Sequence, residues 1–206
     1  MRETVNDRAR ALKAFPSLLP AVPELEIYET LLKKWQPKIN LVGPTTLNAL
    51  WWRHFADSAQ VLLTCPDART WIDLGSGAGF PGLVVALMLK GRANALVTLV
   101  ESDSRKAAFL REVSRETSAP VTVLNMRMEQ LGEIAPPDAI TSRALAPLGR
   151  LAPTIRPWIQ RGSTGVFLKG ESGIEAEEAD FQIDSIPSRT GPGFVIKVRS
   201  RESGRP

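Results

Sequence analysis

Trp71-Ile72-Asp73-Leu74-Gly75-Ser76-Gly77-Ala78-Gly79-Phe80-Pro81-Gly82 is the stretch on which the reading of this chain turns. Trp71, Ile72 and Leu74 read as a strand, and the run Leu83, Val84, Val85, Leu87, Met88, Leu89 reads as a helix. Glycines between a strand and a helix let the backbone turn tightly and let a ligand approach it closely. Pro81 is expected at the first helical position, where its missing N–H costs nothing. The stretch therefore reads as a nucleotide-cofactor loop on an α/β sheet.

Two cofactors compete for this loop. Gly77, Gly79 and Gly82 satisfy the dinucleotide pattern G-x-G-x-x-G, and Glu101 follows 19 residues later, near the acidic spacing of that fingerprint. Asp73, Gly75, Gly77 and Gly79 satisfy D-x-G-x-G-x-G, the loop of class I methyltransferases that bind S-adenosylmethionine. Asp73 favours the second. A dinucleotide brings a pyrophosphate to the loop, which a neighbouring carboxylate repels, whereas the sulfonium and ammonium of S-adenosylmethionine are attracted.

Outward from the loop, strands are expected at 70–74, 96–100, 121–124, 138–142 and 165–169. Helices are expected at 81–90, 103–117 (capped by Asp103) and 148–160. Upstream, 24–35 and 45–63 show helical apolar spacing, the latter capped by Thr45 or Thr46. Two final strands, 181–186 and 193–199, flank the turn Thr190-Gly191-Pro192-Gly193. Alternating strands and helices imply a doubly wound, mostly parallel Rossmann-like sheet, with ligands at the carboxyl ends of its strands. Residues 1–66 form an N-terminal helical extension packed on a binding domain of residues 67–206, the two making one structural unit.

With 206 residues, 43% apolar and 23% charged, the chain has the composition of a globular domain that buries a core unaided. Cys65 and His54 are each the only residue of their type, which excludes disulfides and multi-histidine metal sites, so no metal is expected. The charged opening Met1-Arg2-Glu3-Thr4 lacks a signal-peptide core, and no apolar run reaches membrane-spanning length, so a cytoplasmic monomer with no membrane partner is expected. Of 26 basic and 22 acidic residues, 171–206 hold 5 and 7, leaving 21 and 15 in the first 170, a net of +6. A basic face of this kind attracts a polyanion such as RNA.

The strand ends nominate the chemistry. Glu101 is placed to accept both ribose hydroxyls of a cofactor. Met128 and Glu129 follow the third strand, where backbone groups can read an adenine edge. Arg143 ends the fourth strand and can grip a carboxylate or phosphate through its fork, or form a structural ion pair with Asp73 or Glu101. Lys169 ends the fifth, where it can face a substrate phosphate or equally stand as an exposed strand-end lysine. His54 and Asp57, three apart on a helix, share a face and look like acid–base apparatus. Such a pair amid Trp51, Trp52 and Phe55 is more often a satisfied structural one. The five tryptophans sit at apolar-face positions and are expected mainly in the core.

Lys38-Ile39-Asn40-Leu41, His54-Phe55-Ala56-Asp57-Ser58, the Asp73–Gly82 loop, Val100-Glu101-Ser102, Phe109-Leu110, Arg127-Met128-Glu129, Ser142-Arg143-Ala144 and Lys169-Gly170 together resemble one family over about residues 25–200. It is the RsmG/GidB family, bacterial 16S ribosomal RNA guanine-N7 methyltransferases. Gln36-Pro37 departs from the family's Lys-Trp-Asn-Lys type string, and a paired lysine is here Arg105-Lys106. The acidic stretch 171–184 belongs to no motif.

The resemblance implies S-adenosylmethionine as donor and N7 of a guanosine (position 527, in the 530 loop) as acceptor. It also implies cofactor contacts from Gly75, Phe80, Met128, Glu129 and Arg143. N7 offers a lone pair and has no proton to lose, so transfer needs no general base. Positioning and electrostatics suffice, with Arg143 and Lys169 nearest the reacting end. A nicotinamide oxidoreductase, and an RNA-binding or ribosome-assembly protein without turnover, are the competing readings.

Overall fold

The segment Thr70–Leu74 forms strand β1 in the interior of a seven-stranded sheet, between β2 and β4. The computed structural model describes residues 2–132, 134–143, 148–170 and 180–201. The other strands are β2 (Leu96–Val100), β3 (Val121–Leu124), β4 (Ala139–Arg143), β5 (Thr164–Lys169), β6 (Phe181–Pro187) and β7 (Phe194–Ser200). Their order is β3-β2-β1-β4-β5-β7-β6. The first five run parallel, and β7 pairs antiparallel with both β5 and β6. The direction of winding reverses between β1 and β4, which opens a crevice at their carboxyl ends. Residues 75–82 and Arg143 stand there. The expected doubly wound, mostly parallel sheet is the one found.

The helices are α1 (Arg2–Ala14), α2 (Val22–Trp35), α3 (Pro44–Leu47), α4 (Asp57–Thr64), α5 (Gly82–Leu89), α6 (Ser104–Thr117) and α7 (Leu148–Gln160). Alternate residues of β1 enter different cores, as a strand's period of two requires. Trp71 packs with the N-terminal helices, α5 and α6, while Ile72 and Leu74 pack with α7. The first core runs from Ala11 to Val195, so residues 1–66 share it with the sheet. Trp51, Trp52, Trp71 and Trp158 are all buried.

Three expectations need correction. The helix read over 45–63 is broken into α3, a π-helical turn at Trp51–Ala56, and α4. The Asp7 carboxylate accepts the backbone N–H groups of Trp51 (2.9 Å) and Trp52 (3.2 Å), which draws them out of a regular ladder toward α1. The residue capping α3 is Gly43, neither Thr45 nor Thr46; Thr46 Oγ1 donates back to the Gly43 carbonyl at 2.9 Å. Pro81 occupies the cap of α5, whose first residue is Gly82. Helix α1 and the 3-10 turn Pro16–Ala21 are absent from the sequence reading. Of the acidic stretch 171–184, residues 171–179 lie outside the described residues.

Gln36 turns a sequence departure into a clamp. It caps α2, its Oε1 accepts the N–H groups of Leu41 (3.2 Å) and Val42 (3.1 Å), and its Nε2 donates to the Val42 carbonyl at 2.8 Å. That closes the loop after Pro37.

A Cβ at Gly82 would lie 2.6 Å from Asp73 Cβ and Oδ2 and 2.7 Å from Leu99 Cδ2, all buried. Gly82→Ala is therefore expected to lower stability by about 1–3 kcal/mol. Thermal or denaturant unfolding checks this, and an unchanged midpoint would mean that α5 can shift off β1 at no cost.

Candidate functional site

Two carboxylates hold the glycine loop. Asp73, fully buried on β1, accepts the Gly82 N–H through Oδ2 at 3.2 Å, and Ser76 Oγ donates to the Asp73 carbonyl at 3.0 Å. Glu101, at the end of β2, accepts the Gly77 N–H through Oε2 at 2.7 Å and the Asp103 N–H through Oε1 at 2.7 Å. Burial pushes the Asp73 carboxyl up to about 7, against the bonds it receives. Its Oδ1 is buried and has no hydrogen-bond partner among the described residues.

The four glycines answer different needs. Gly75, Gly77 and Gly79 have φ of 69°, 56° and 95°, the left-handed region that favours glycine. A Cβ at Gly79 would meet the Tyr28 hydroxyl at 2.7 Å and Leu83 Cβ at 2.9 Å, so this glycine and Gly82 make room for protein. At Gly77 the nearest such atom is the Gly75 carbonyl at 3.8 Å, so Gly77 faces open space.

Gly75, Ser102, Met128 and Glu129 line a cleft of about 150 Å³. Met128 and Glu129 belong to a 3-10 turn, Met128–Gln130, whose first backbone group is anchored by the Gln130 side chain accepting the Arg127 N–H at 3.1 Å. Asn125 Nδ2 donates to the Glu101 carbonyl at 2.8 Å, which ties the end of β3 to the end of β2.

Beyond the loop, Phe80 is stacked between His54 (centroids 4.7 Å apart, 27°) and Tyr28 (5.3 Å, 19°). The Tyr28 hydroxyl donates to the Ala78 carbonyl. Arg143 lies over the Phe80 ring at 4.9 Å, and its guanidinium donates to His54 Nδ1 at 2.7 Å. A guanidinium only donates, so His54 Nδ1 is the acceptor and its Nε2 carries the proton. Nε2–H then faces Thr46 Oγ1 at 3.0 Å. Burial, with Arg143 and Arg53 adding to it, pushes His54 down to about 3.

The His54–Asp57 pair expected from the sequence is not made. His54 is satisfied by Thr46 and Arg143, whereas Asp57 accepts from Thr190 Oγ1 (2.5 Å) and Gln60 Nε2 (3.2 Å). The π-helical turn intervenes between the two and changes their spacing. Arg143 also differs from the ion pair with Asp73 or Glu101 that its position suggested, since its recorded hydrogen-bond partner is the neutral His54. Burial lowers the pKa of Arg143.

A second cavity, about 180 Å³, opens where Arg143 and Lys169 end β4 and β5. Arg53, Asp57 and Thr190 complete its polar wall. Lys169 is half-buried, which lowers its pKa. Arg53, Tyr28 and Thr190 were not nominated from the sequence, because each joins the site through contacts distant along the chain. Among the described residues no group of three or more His, Cys, Asp or Glu is placed to hold a metal, and no helix is long and apolar enough to cross a membrane.

Residues 21–197 match the family model described as GidB, rRNA small subunit methyltransferase G. The chain is 46% identical over 200 residues to the ribosomal RNA small subunit methyltransferase G of Methylorubrum populi, covering 94% of this chain and 95% of that one. It is 49% identical over 188 residues to the protein of the same name from Paramagnetospirillum magneticum, covering 88% and 89%. Among solved structures it resembles a putative O-methyltransferase from Klebsiella pneumoniae, with TM-score 0.59 and 15% identity over 96% of this chain and 99% of that one. It also resembles a mutant of MtNAS in complex with S-adenosylmethionine, with TM-score 0.58 and 14% identity over 94% and 83%. These two likenesses concern the fold.

His54 stays neutral in the folded chain while an unfolded histidine takes a proton near pH 6.5. Its folded pKa is depressed, so the stability it contributes is full above pH 6.5 and is lost as pH falls toward 3. His54→Gln is expected to remove roughly 2–3 kcal/mol of the acid sensitivity between pH 6.5 and 4.5. Denaturant unfolding of both proteins at the two pH values checks this, and parallel losses would show that His54 takes up a proton in the fold.

Proposed function

The chain belongs to the GidB family of small-subunit rRNA methyltransferases, and on that premise we propose that it transfers a methyl group from S-adenosylmethionine to N7 of a guanosine in 16S rRNA, without a general base. The observation that carries this reading is the loop itself. It has a backbone open to a ligand at Gly77, is held by the Glu101 carboxylate, and is backed by the buried Asp73. That electrostatic environment repels a pyrophosphate and favours a ligand bearing positive charge.

The residues present fit this cofactor. Asp73 has a buried oxygen without a hydrogen-bond partner among the described residues, and a cation near it restores the ionised form that burial disfavours. Glu101 keeps acceptor capacity on both oxygens for ribose hydroxyls. Gly75, Met128 and Glu129 line the cleft for the base, and Phe80, enclosed by rings, contributes through its main chain. Gly79 shapes the turn. Arg143, whose recorded partner is a neutral histidine, is suited to the cofactor carboxylate. When bound, S-adenosylmethionine supplies a methyl group activated by the adjacent sulfonium.

The chain's own task is positional. Arg143 and Lys169 set the electrostatics at the reacting end, and the walls of the crevice align the acceptor and exclude water. His54 takes no part in proton transfer: Nδ1 is occupied by Arg143, and a pKa of about 3 leaves it a poor base near neutrality. Residues 1–66 and 67–206 act as one unit, since a single core spans them, and we assign the chain a monomeric, metal-free, cytoplasmic role.

Calorimetry tests the cofactor. S-adenosylmethionine or its demethylated product is expected to bind saturably, and micromolar binding of NAD alone would overturn the assignment. Gly77→Val should abolish binding by filling the open face. Glu101→Ala should weaken it about ten- to a hundredfold, the worth of a charge-assisted bond of roughly 1.5–3 kcal/mol; an unchanged Kd would leave Glu101 with the loop alone.

Single-turnover methyl transfer with saturating RNA tests the mechanism. The rate is expected to show no essential base ionising between about pH 6 and 8. His54→Gln should keep most of that rate. A thousandfold loss, with fold and cofactor affinity intact, would put both the absence of a base and the N7 acceptor in error.

A further inference from the structure

The cavity at the ends of β4 and β5 has mixed charge, which sets it apart from a phosphate site. Arg53, Arg143 and Lys169 line it, yet so does the Asp57 carboxylate. Asp57 is oriented by a network that crosses the molecule. Its Oδ1 takes the bonds from Thr190 and Gln60, while no bond to Oδ2 is recorded among the described residues.

The residues that hold Asp57 are themselves anchored. Trp52 Nε1 donates to the Thr190 carbonyl at 2.7 Å, and Gln60 Oε1 accepts the Arg189 N–H at 2.7 Å. Gly191 lies so close under the Arg53 guanidinium that a Cβ there would collide with it. Gly193, at φ +121°, lets the turn pass against the Lys169 carbonyl, which a side chain would strike. Arg53 comes from the π-helical turn, a distortion frequent at functional sites.

We propose that this cavity is the acceptor-base subsite, and that Asp57 reads the Watson–Crick edge of a guanine held in it. The inference rests on the functional reading above and names the residue that selects its substrate. Guanine presents two adjacent donors, N1–H and the N2 amino group, which match the acceptor-only oxygens of a carboxylate. Adenine presents an acceptor at N1, which the same carboxylate repels. Around the guanine ring the order is N7, O6, N1, N2. Around the crevice the order is the glycine loop, Arg143, then Asp57. Arg143 lies over Phe80 of the loop and also lines the cavity, so O6 meets a cation while N7 is left toward the loop. A phosphate occupant would face Asp57 at close range and is disfavoured.

The test is a cycle between one side chain and one base substituent. Small-subunit RNA is ligated with guanosine or inosine at the methylated position, and is offered naked and as reconstituted subunit. Inosine lacks only the N2 amino group and keeps N7. With the wild-type protein, label transfer to inosine RNA is expected to fall about ten- to a hundredfold in kcat/KM. With Asp57→Asn, whose amide keeps the shape, the guanosine-to-inosine ratio is expected to fall to near one, with S-adenosylmethionine affinity unchanged. Equal transfer to both RNAs by the wild type would overturn the proposal without any variant. So would an Asp57→Asn protein that keeps the wild-type ratio. No label on guanosine RNA in either form would instead overturn the functional reading, and the proposal with it.

Discussion

The hydrogen bond from the Gly82 N–H to the buried Asp73 carboxylate fixes the start of α5 against β1, and the rest of the site is arranged around it. It costs burial of a carboxyl whose pKa rises to about 7. What it secures is a loop of three left-handed glycines whose geometry no ordinary side chain adopts cheaply. Glu101 then clasps the loop from the neighbouring strand at Gly77, and Tyr28 does so from α2 at Ala78. The N-terminal helices are therefore part of the site: α2 supplies Tyr28, and the π-helical turn supplies His54 and Arg53.

This arrangement explains why a histidine so well placed for acid–base work is unsuited to it. His54 is buried, stacked on Phe80, and used as an acceptor by Arg143. Its neutral ring holds a guanidinium in place without neutralising it, whereas a carboxylate there would cancel the charge. With a neutral hydrogen-bond partner in His54, Arg143 keeps its charge for an anionic or carbonyl oxygen in the crevice.

The sequence made the sheet legible because its parallel strands are short apolar runs bounded by clear breaks. β1, β2 and β3 fall at the expected limits, and Asp103 caps α6 as read, accepting from Arg105 and Lys106. What stayed hidden is long-range. Helix α1 is mostly polar in sequence, and Asp7 anchors it through the Trp51 and Trp52 backbone, a tertiary bond that periodicity does not report. That bond accompanies the break in the 45–63 helix, which in turn parts His54 from Asp57. Asp57 meets Thr190 across 133 positions, so local spacing offered only the wrong partner.

The proposed reaction requires the crevice to present the N7 lone pair of a guanosine to the methyl donor. The most direct measurement is nucleoside analysis of 16S rRNA after incubation, naked or in subunits, with the purified protein and methyl-labelled S-adenosylmethionine. All label is expected in 7-methylguanosine, at one position of the RNA. Label on an exocyclic amine or a ribose hydroxyl would contradict the account, because each of those acceptors must lose a proton during transfer, and label on another base would contradict the choice of guanosine.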